Sequence, residues 1–178
     1  MKKVIALGGS NSSNSINKAL ATYAAGLLEN TQVEVLDLNS FNLPMYGIDH
    51  ETAHGIPAEV HRMAELIESS DGLVVSLAEH NGSYSVAFKN AFDWMSRADK
   101  EVWKNKPMLL MATSPGKRGG VGVLGAAKMS FPHLGGNIVA DFSLPSFGAN
   151  FGESGITDQE LSGQLNEKVQ QLQTAMEG

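Results

Sequence analysis

A run of small polar residues near the start of the chain has the composition of a phosphate-binding loop. Residues 8–17 have the sequence GGSNSSNSIN, between an apolar run at Val4–Leu7 and a helical pattern at Lys18–Leu28. A strand, a polar loop and a helix in this order direct the free N–H groups and partial positive charge of the helix toward the loop. The pattern therefore predicts an anion site, and the alternative is an ordinary polar turn in which Ser15 caps the helix.

The same loop lacks the features of two common nucleotide-binding loops. It has neither a Gly-Lys-Ser/Thr ending nor G-x-G-x-x-G spacing. It also contains no lysine or arginine, so hydroxyls, amides and the helix end would have to hold the anion. These absences argue against a nucleoside-triphosphate loop and against a dinucleotide-binding fingerprint.

Length and composition predict one globular domain spanning residues 1–178. The chain is 42% hydrophobic and 18% charged, and it contains no cysteine, which excludes disulfides, thiol nucleophiles and thiolate metal sites. The net charge of −6 argues against nucleic acid as a partner. No apolar run is long enough for a bilayer, and the N-terminal residues lack a signal-peptide pattern. We therefore expect a cytoplasmic protein without a membrane partner.

Strand-like and helical patterns alternate along the chain. The predicted strands are Val4–Leu7, Gln32–Leu38, Gly72–Leu77, Pro107–Thr113 and Asn137–Phe142. The predicted helices are Lys18–Glu29, Pro57–Ser69, Val86–Arg97, Val121–Phe131 and Asp158–Met176. Between them, Asn39–Gly55 is predicted to be a long irregular segment near a site. The alternation predicts an α/β fold of the flavodoxin-like kind, a three-layer sandwich around a five-stranded parallel sheet.

Three polar loops follow predicted strands, at residues 8–17, 78–85 and 114–120. In doubly wound sheets, ligands bind beyond the carboxyl ends of the strands. The three loops are therefore expected to share one edge of the sheet and to form a composite site.

Together these loops resemble those of the NAD(P)H-dependent FMN reductase family, which includes quinone, chromate and azo-dye reductases. The first loop is similar to the family pattern G-S-x-R-x-x-S-x-N through Gly9, Ser10, Ser15 and Asn17. The second, Ala78-Glu79-His80-Asn81, is similar to P-E-Y-N, and Lys89–Arg97 resembles the K-N-A-x-D-W-x-S-R segment that follows. The third, Ser114–Gly120, resembles S-x-G-x-x-G-G, and Leu43-Pro44-x-Tyr46 also recurs in the family.

The resemblance implies FMN as cofactor and NADPH or NADH as co-substrate, with the flavin rather than a protein side chain carrying the chemistry. It places the FMN phosphate at Ser10, Ser15, Ile16 and Asn17. It places one edge of the flavin ring at Glu79, His80, Asn81 and Gly82, and another at Ser114, Gly116, Lys117, Arg118, Gly119 and Gly120. The implied reaction is a ping-pong transfer to a quinone, a flavin or a similar small-molecule electron acceptor. The implied assembly is a homodimer or homotetramer, in which Trp94 would lie at the interface.

Two departures from the family pattern are visible, since Ser12 replaces the arginine of the first loop and His80 replaces the tyrosine of the second. Along the helix that follows, Asp93 and Arg97 have the spacing of an ion pair. The five histidines lack metal-ligand spacing, so no metal site is expected. Lys117 and Arg118 could meet the phosphates of NAD(P)H or form a solvated pair. Two other functions stay open at this point, a flavodoxin-type electron carrier and a flavin-binding sensor without turnover.

Overall fold

Five parallel strands form the central sheet of the computed structural model, which describes all 178 residues. In chain order they are β1 (Lys2–Gly9), β2 (Thr31–Leu36), β3 (Gly72–Leu77), β6 (Pro107–Thr113) and β7 (Asn137–Leu144). The remaining strands form two short antiparallel hairpins. One pairs β4 (Glu79–His80) with β5 (Ser83–Tyr84), and the other pairs β8 (Phe151–Gly152) with β9 (Gly155–Ile156). The spatial order β2-β1-β3-β6-β7 confirms the predicted flavodoxin-like sheet.

Helices cover both faces of this sheet. They are α1 (Ile16–Gly26), α2 (Ile48–His54), α3 (Ala58–Glu68), α4 (Val86–Ala98), α5 (Val121–Ser130), α6 (Phe147–Asn150) and α7 (Gln159–Glu177). One face packs against α1 and α7, and the other packs against α3, α4 and α5. No helix in the chain has both the length and the apolar character that crossing a bilayer requires.

The central strands are apolar on both faces because each face is covered. Along β1, Ile5 and Leu7 pack toward α3 and α4, while Val4 and Ala6 pack toward α1 and α7. Every residue of β3 is buried. This arrangement explains why the central strands β1, β3 and β6 contain continuous apolar runs, whereas the edge strand β2 alternates polar and apolar residues.

The segment predicted to be irregular, 39–55, contains regular structure. Its first residues complete a 3-10 turn at Leu38–Ser40, and its second half forms α2. The second polar loop likewise contains the β4–β5 hairpin. Both differences arise in short elements, whose sequence periodicity is too brief to detect.

The crevice of the sheet lies between β1 and β3, where the direction of strand succession reverses. Gly8, near the end of β1, allows α1 to begin directly above it, since a Cβ there would lie 2.6 Å from the backbone nitrogen of Lys18. This close approach directs the N-terminus of α1 toward the carboxyl edge of the sheet, where the three polar loops lie.

Candidate cofactor site

The three polar loops enclose one cavity of about 160 Å³ at the carboxyl edge of the sheet. Seven of the residues expected at the site line it: Ser10, Ser15, Ile16, Asn17, Glu79, His80 and Ser114. Asn81 and Gly82 lie beyond it at the exposed tip of the hairpin, Gly116–Arg118 form the outer part of the third loop, and Gly119 and Gly120 are buried outside the cavity lining. Ala78, Thr113 and Pro115 also line the cavity. Sequence reasoning did not single them out, although each flanks a predicted loop residue.

The first loop presents free hydrogen-bond donors to this cavity. Six backbone N–H groups of the loop make no hydrogen bond within the chain, those of Asn11, Ser13, Asn14, Ser15, Ile16 and Asn17, and the last four of these residues line the cavity. Ser15 caps the helix, and its hydroxyl accepts from the backbone N–H of Lys18 at 3.0 Å. The two expected roles of this loop, helix cap and anion cradle, are therefore compatible.

The side chain of Asn17 has a different role from the one expected. It is 2% exposed, and its Oδ1 accepts from the Ser76 hydroxyl at 2.7 Å and from the Thr113 backbone N–H at 3.0 Å. Its Nδ2 donates to the Thr113 carbonyl at 3.1 Å. These bonds fasten the first turn of α1 to the ends of β3 and β6. Of the hydrogen-bonding groups of Asn17, its backbone N–H is left without a partner in the chain.

The second loop is a tight hairpin that separates two neighbouring side chains. Asn81 and Gly82 have φ angles of 52° and 78° and form its two-residue turn, as Asn-Gly does in type I′ hairpins. Glu79 points toward α5, where its carboxylate accepts from the backbone N–H of Val123 at 2.9 Å. Because side chains alternate along a strand, His80 faces the opposite way, and it is exposed.

Ser85 connects the first loop to the second. It is 1% exposed, its hydroxyl donates to the Gly9 carbonyl at 2.8 Å, and it accepts from the Phe88 backbone N–H at 3.1 Å. One side chain thus caps α4 and holds the end of β1. Together with Asn17 and Glu79, it fixes the three loops relative to one another.

Gly119 and Gly120 are required by packing inside the protein. Their φ angles are 58° and 76°, a region that residues with a Cβ rarely adopt. A Cβ on Gly119 would lie 2.9 Å from the Pro145 backbone nitrogen, and one on Gly120 would lie 2.9 Å from the Ala112 Cβ. The missing Cβ atoms therefore let the loop pack against β6 and the end of β7.

Lys117 lies on the exposed outer part of the third loop. Lys117 and its neighbour Arg118 make no ion pair within the chain. The backbone N–H groups of Gly116, Lys117 and Arg118 also make no hydrogen bond within the chain. This side of the site therefore combines two cations with three free N–H groups.

The segment around Pro44 is anchored on α4 and borders the site. The Trp94 Nε1 donates to the Pro44 carbonyl at 2.8 Å, and Asn90 donates to the same carbonyl at 3.0 Å. Asn90 also accepts from the Tyr46 backbone N–H at 2.7 Å. Trp94 is fully buried within the chain, so the expectation that it lies at a subunit interface is wrong.

Charged groups at the start of α2 reinforce this anchor. The Arg97 Nε donates to the Glu51 carboxylate at 2.9 Å, and the Tyr46 hydroxyl donates to it at 3.2 Å. The bond from Arg97 lowers the pKa of Glu51 from its ordinary 4.5. Asp93 pairs with Lys89 at 2.8 Å instead of with Arg97, which corrects the pairing expected from sequence. No group of three or more His, Asp or Glu side chains is arranged to hold a metal ion.

Comparison with known proteins shows which family and which relatives the chain is similar to. The family model described as NADPH-dependent FMN reductase matches residues 2–149. A quinone reductase of Escherichia coli strain K12 is 30% identical over 174 residues, which cover 92% of this chain and 91% of that protein. An NAD(P)H-dependent FMN reductase of Pseudomonas aeruginosa is 34% identical over 118 residues, covering 66% of this chain and 62% of that protein. The solved structure of a flavoenzyme NAD(P)H:(acceptor) oxidoreductase from Paracoccus denitrificans matches with a TM-score of 0.78 at 28% identity, covering 99% and 98% of the two chains.

Proposed function

The chain belongs to the family of NADPH-dependent FMN reductases, and on that premise we propose which of its groups hold FMN, NAD(P)H and the electron acceptor. It is an NAD(P)H-dependent oxidoreductase with FMN as its cofactor. Its relatives include a quinone reductase that aligns with nearly the whole chain. We propose a quinone or a similar small electrophile as the acceptor.

The first loop binds the phosphate of FMN in this proposal. Its free backbone N–H groups lie at the positive end of α1, and the hydroxyls of Ser10 and Ser12 line the same cavity. Such neutral donors suit phosphate oxygens. The one carboxylate that lines the cavity, Glu79, is bonded to the N-terminus of α5. The residues present therefore fit the phosphate, with Ser10, Ser15, Ile16 and Asn17 as its binding residues.

The flavin ring lies between the second and third loops in this proposal. FMN, when bound, supplies a centre that accepts hydride from NAD(P)H and donates it to the acceptor. Glu79, His80, Asn81 and Gly82 hold one edge of the ring. At the other edge, the free N–H groups and cations of Gly116–Arg118 oppose negative charge, which favours the reduced cofactor.

Donor and acceptor react with the bound cofactor in turn, as a ping-pong cycle requires. Lys117 and Arg118 are exposed beside the cavity and have no internal anionic partner, so they are available to the phosphates of NAD(P)H. The observation that carries the whole proposal is the set of free N–H groups at the start of α1, inside a cavity that all three loops line.

We also propose that the protein acts in the cytoplasm as a homodimer or homotetramer. The absence of cysteine suits a reducing compartment. Several large apolar side chains are exposed on the single chain and would be covered in an assembly: Met45, Ile48, Val86, Val121 and Met129. Light scattering of the purified protein measures this directly, and a monomer at micromolar concentration would contradict it.

The function is tested by loading the protein with FMN, desalting it and mixing it anaerobically with NADPH. We expect an oxidised-flavin spectrum that bleaches, followed by its return when a quinone is added. Parallel lines in double-reciprocal plots of initial rate would support the alternating order. A protein that retains no flavin, or a flavin that NADPH leaves oxidised, would contradict the proposal.

The phosphate assignment is tested at Ser12, which is exposed and lines the cavity. Ser12→Arg should tighten FMN binding about tenfold and leave riboflavin, which lacks the phosphate, nearly unchanged, while Ser12→Asp should weaken FMN selectively. Thr174→Arg on the exposed face of α7 adds the same positive charge as Ser12→Arg but far from the loop, and it serves as the control. Equal effects on FMN and riboflavin would show that the phosphate lies elsewhere.

A further inference from the structure

A second cavity, of about 590 Å³, opens beside the first. Its walls are Asn11 of the first loop, the segment 38–45 and the first turns of α4, from Ser85 to Ala91. His80 lines both cavities. The volume lies within the roughly 300–1,000 Å³ typical of small-molecule sites. A ligand in the second cavity would therefore lie next to the proposed flavin site, and His80 would be within reach of both.

The hairpin holds His80 in this position. Glu79 is turned toward α5, and the alternation along β4 turns His80 to the cavity side. The imidazole makes no hydrogen bond within the chain, and the residue is exposed. It is therefore free to bond a ligand and to exchange protons with water.

His80 is the one ionisable side chain that lines the second cavity. The other lining groups are apolar side chains, asparagine amides and the Ser85 hydroxyl. The charged groups on the surrounding elements are Lys18, Asp37, Arg62, Glu79, Lys89, Asp93, Arg97, Lys117 and Arg118, of which Arg97 pairs with Glu51. Most of them have partners: Lys18 pairs with Asp37, Lys89 pairs with Asp93, Arg62 pairs with Glu59, and Glu79 is bonded to Val123. Lys117 and Arg118 lie on the third loop, outside the cavity lining.

We propose that the second cavity receives the quinone and that His80 is the acid that protonates it, an inference that rests on the proposed function. Conversion of a quinone to a hydroquinone consumes two electrons and two protons, which a hydride and one proton supply together. The hydride comes from the reduced cofactor. The imidazolium of His80 gives its Nε2 or Nδ1 proton to a quinone carbonyl oxygen as the O–H bond forms. The neutral imidazole then takes a proton from water.

The apolar walls and the anchored segment explain why a flat ring suits this cavity. Leu38, Phe41 and Leu43 form its apolar wall, and Met45, 66% exposed, stands at its rim. The bonds from Asn90 and Trp94 to Pro44 hold this wall against α4. A pocket lined mainly by apolar groups with one convergent polar group fits a quinone better than a charged substrate.

The test separates the two halves of the reaction. Holoenzyme reduced by NADPH under anaerobic conditions is mixed with 1,4-benzoquinone in a stopped-flow instrument between pH 5.5 and 8.5. The wild-type reoxidation rate should fall with rising pH, because the proposed step consumes a proton. His80→Gln should reoxidise at least tenfold more slowly, as general acids contribute about 10²- to 10⁴-fold, and without this pH dependence. His133→Gln, an exposed histidine on the turn after α5, is the control and should behave like wild type.

A second readout is independent of turnover. The imidazole signals of the oxidised holoprotein are followed by NMR while 2-naphthol, a redox-stable analogue of the hydroquinone, is added. The His80 signal should shift and the His133 signal should stay in place.

The outcomes distinguish this inference from the proposed function. Equal reoxidation rates and pH profiles for wild type and His80→Gln would overturn the role of His80. So would a loss confined to reduction by NADPH, or a naphthol titration that leaves the His80 signal unchanged. A wild-type protein that fails to bind FMN, or whose bound FMN NADPH does not reduce, would refute the proposed function itself.

Discussion

Replacing Asn17 with alanine should destabilise the protein even in the absence of FMN. The Asn17 side chain makes three buried hydrogen bonds, two to the backbone of Thr113 and one to the hydroxyl of Ser76. These bonds connect the N-terminus of α1 to the ends of two strands. Their loss leaves buried polar groups without partners, since Asn17 and Ser76 are 2% and 0% exposed.

The magnitude follows from counting these bonds. A buried hydrogen bond contributes about 1 kcal/mol net, and an unpaired buried group costs about 1–3 kcal/mol. Asn17→Ala should therefore lower the free energy of unfolding by about 3 kcal/mol. Ser76→Ala removes only one of the bonds and should cost about 1 kcal/mol. For a chain of this size, 3 kcal/mol corresponds to a fall in Tm of about 6–12 °C.

The assay is urea unfolding of the flavin-free protein, followed by tryptophan fluorescence. Asn14→Ala is the matched control, because Asn14 lies in the same loop but is exposed, and such surface changes usually stay within about 0.5 kcal/mol. An Asn17→Ala protein as stable as the control would refute the reasoning. If that variant also bound FMN weakly, its side chain would contact the phosphate instead.

Three further predictions concern charge and burial. Reversing both charges at Lys117 and Arg118 to glutamate should raise KM for NADPH more than for NADH, because only NADPH carries the 2′-phosphate; equal changes in steady-state KM would contradict this. The hydrogen bond from Lys18 lowers the pKa of Asp37 from 3.8. The stabilisation of the folded state by this ion pair is therefore present above pH 3.8 and is lost as the pH falls through the depressed pKa. Asp37→Asn should thus cost about 0.5 kcal/mol at pH 7 and progressively less below pH 4 in chemical unfolding, and a difference independent of pH would exclude the ion pair as its cause. Trp103→Phe should change the unfolding free energy by no more than about 1 kcal/mol, because removing the buried indole N–H, which has no partner, offsets the lost packing; a loss of about 3 kcal/mol in urea unfolding would contradict that balance.

The strands of the central sheet and the helices that cover it were predictable, because each has a long and regular pattern of apolar residues. Gly72–Leu77 and Pro107–Thr113 have the same bounds in the structure as in the prediction. The short elements were missed, since α2 and the β4–β5 hairpin offer too few residues for a periodicity to emerge. Helix α1 begins two residues before the predicted start, because its capping serine rather than its apolar stripe sets its first turn.

That the three polar loops meet was also predictable, because parallel strands bring their carboxyl ends to one edge. The roles of individual residues there were less so. A tryptophan buried in its own chain and one at a subunit interface cannot be distinguished from the local sequence. The segment that covers Trp94 lies about 50 residues earlier, at Pro44. In the same way, Arg97 forms its ion pair with Glu51 of α2, which no helical spacing could indicate.

Sequence alone determined the layer architecture, the polar loops and the family, since all three depend on residue types at local spacing. Tertiary structure decided which polar groups remain free for a ligand. The side chain of Asn17 is used inside the protein by Thr113 and Ser76, whereas His80 faces open space. Both residues are polar and both belong to the polar loops predicted from sequence, so only the partners supplied by distant strands distinguish a structural group from one available for chemistry.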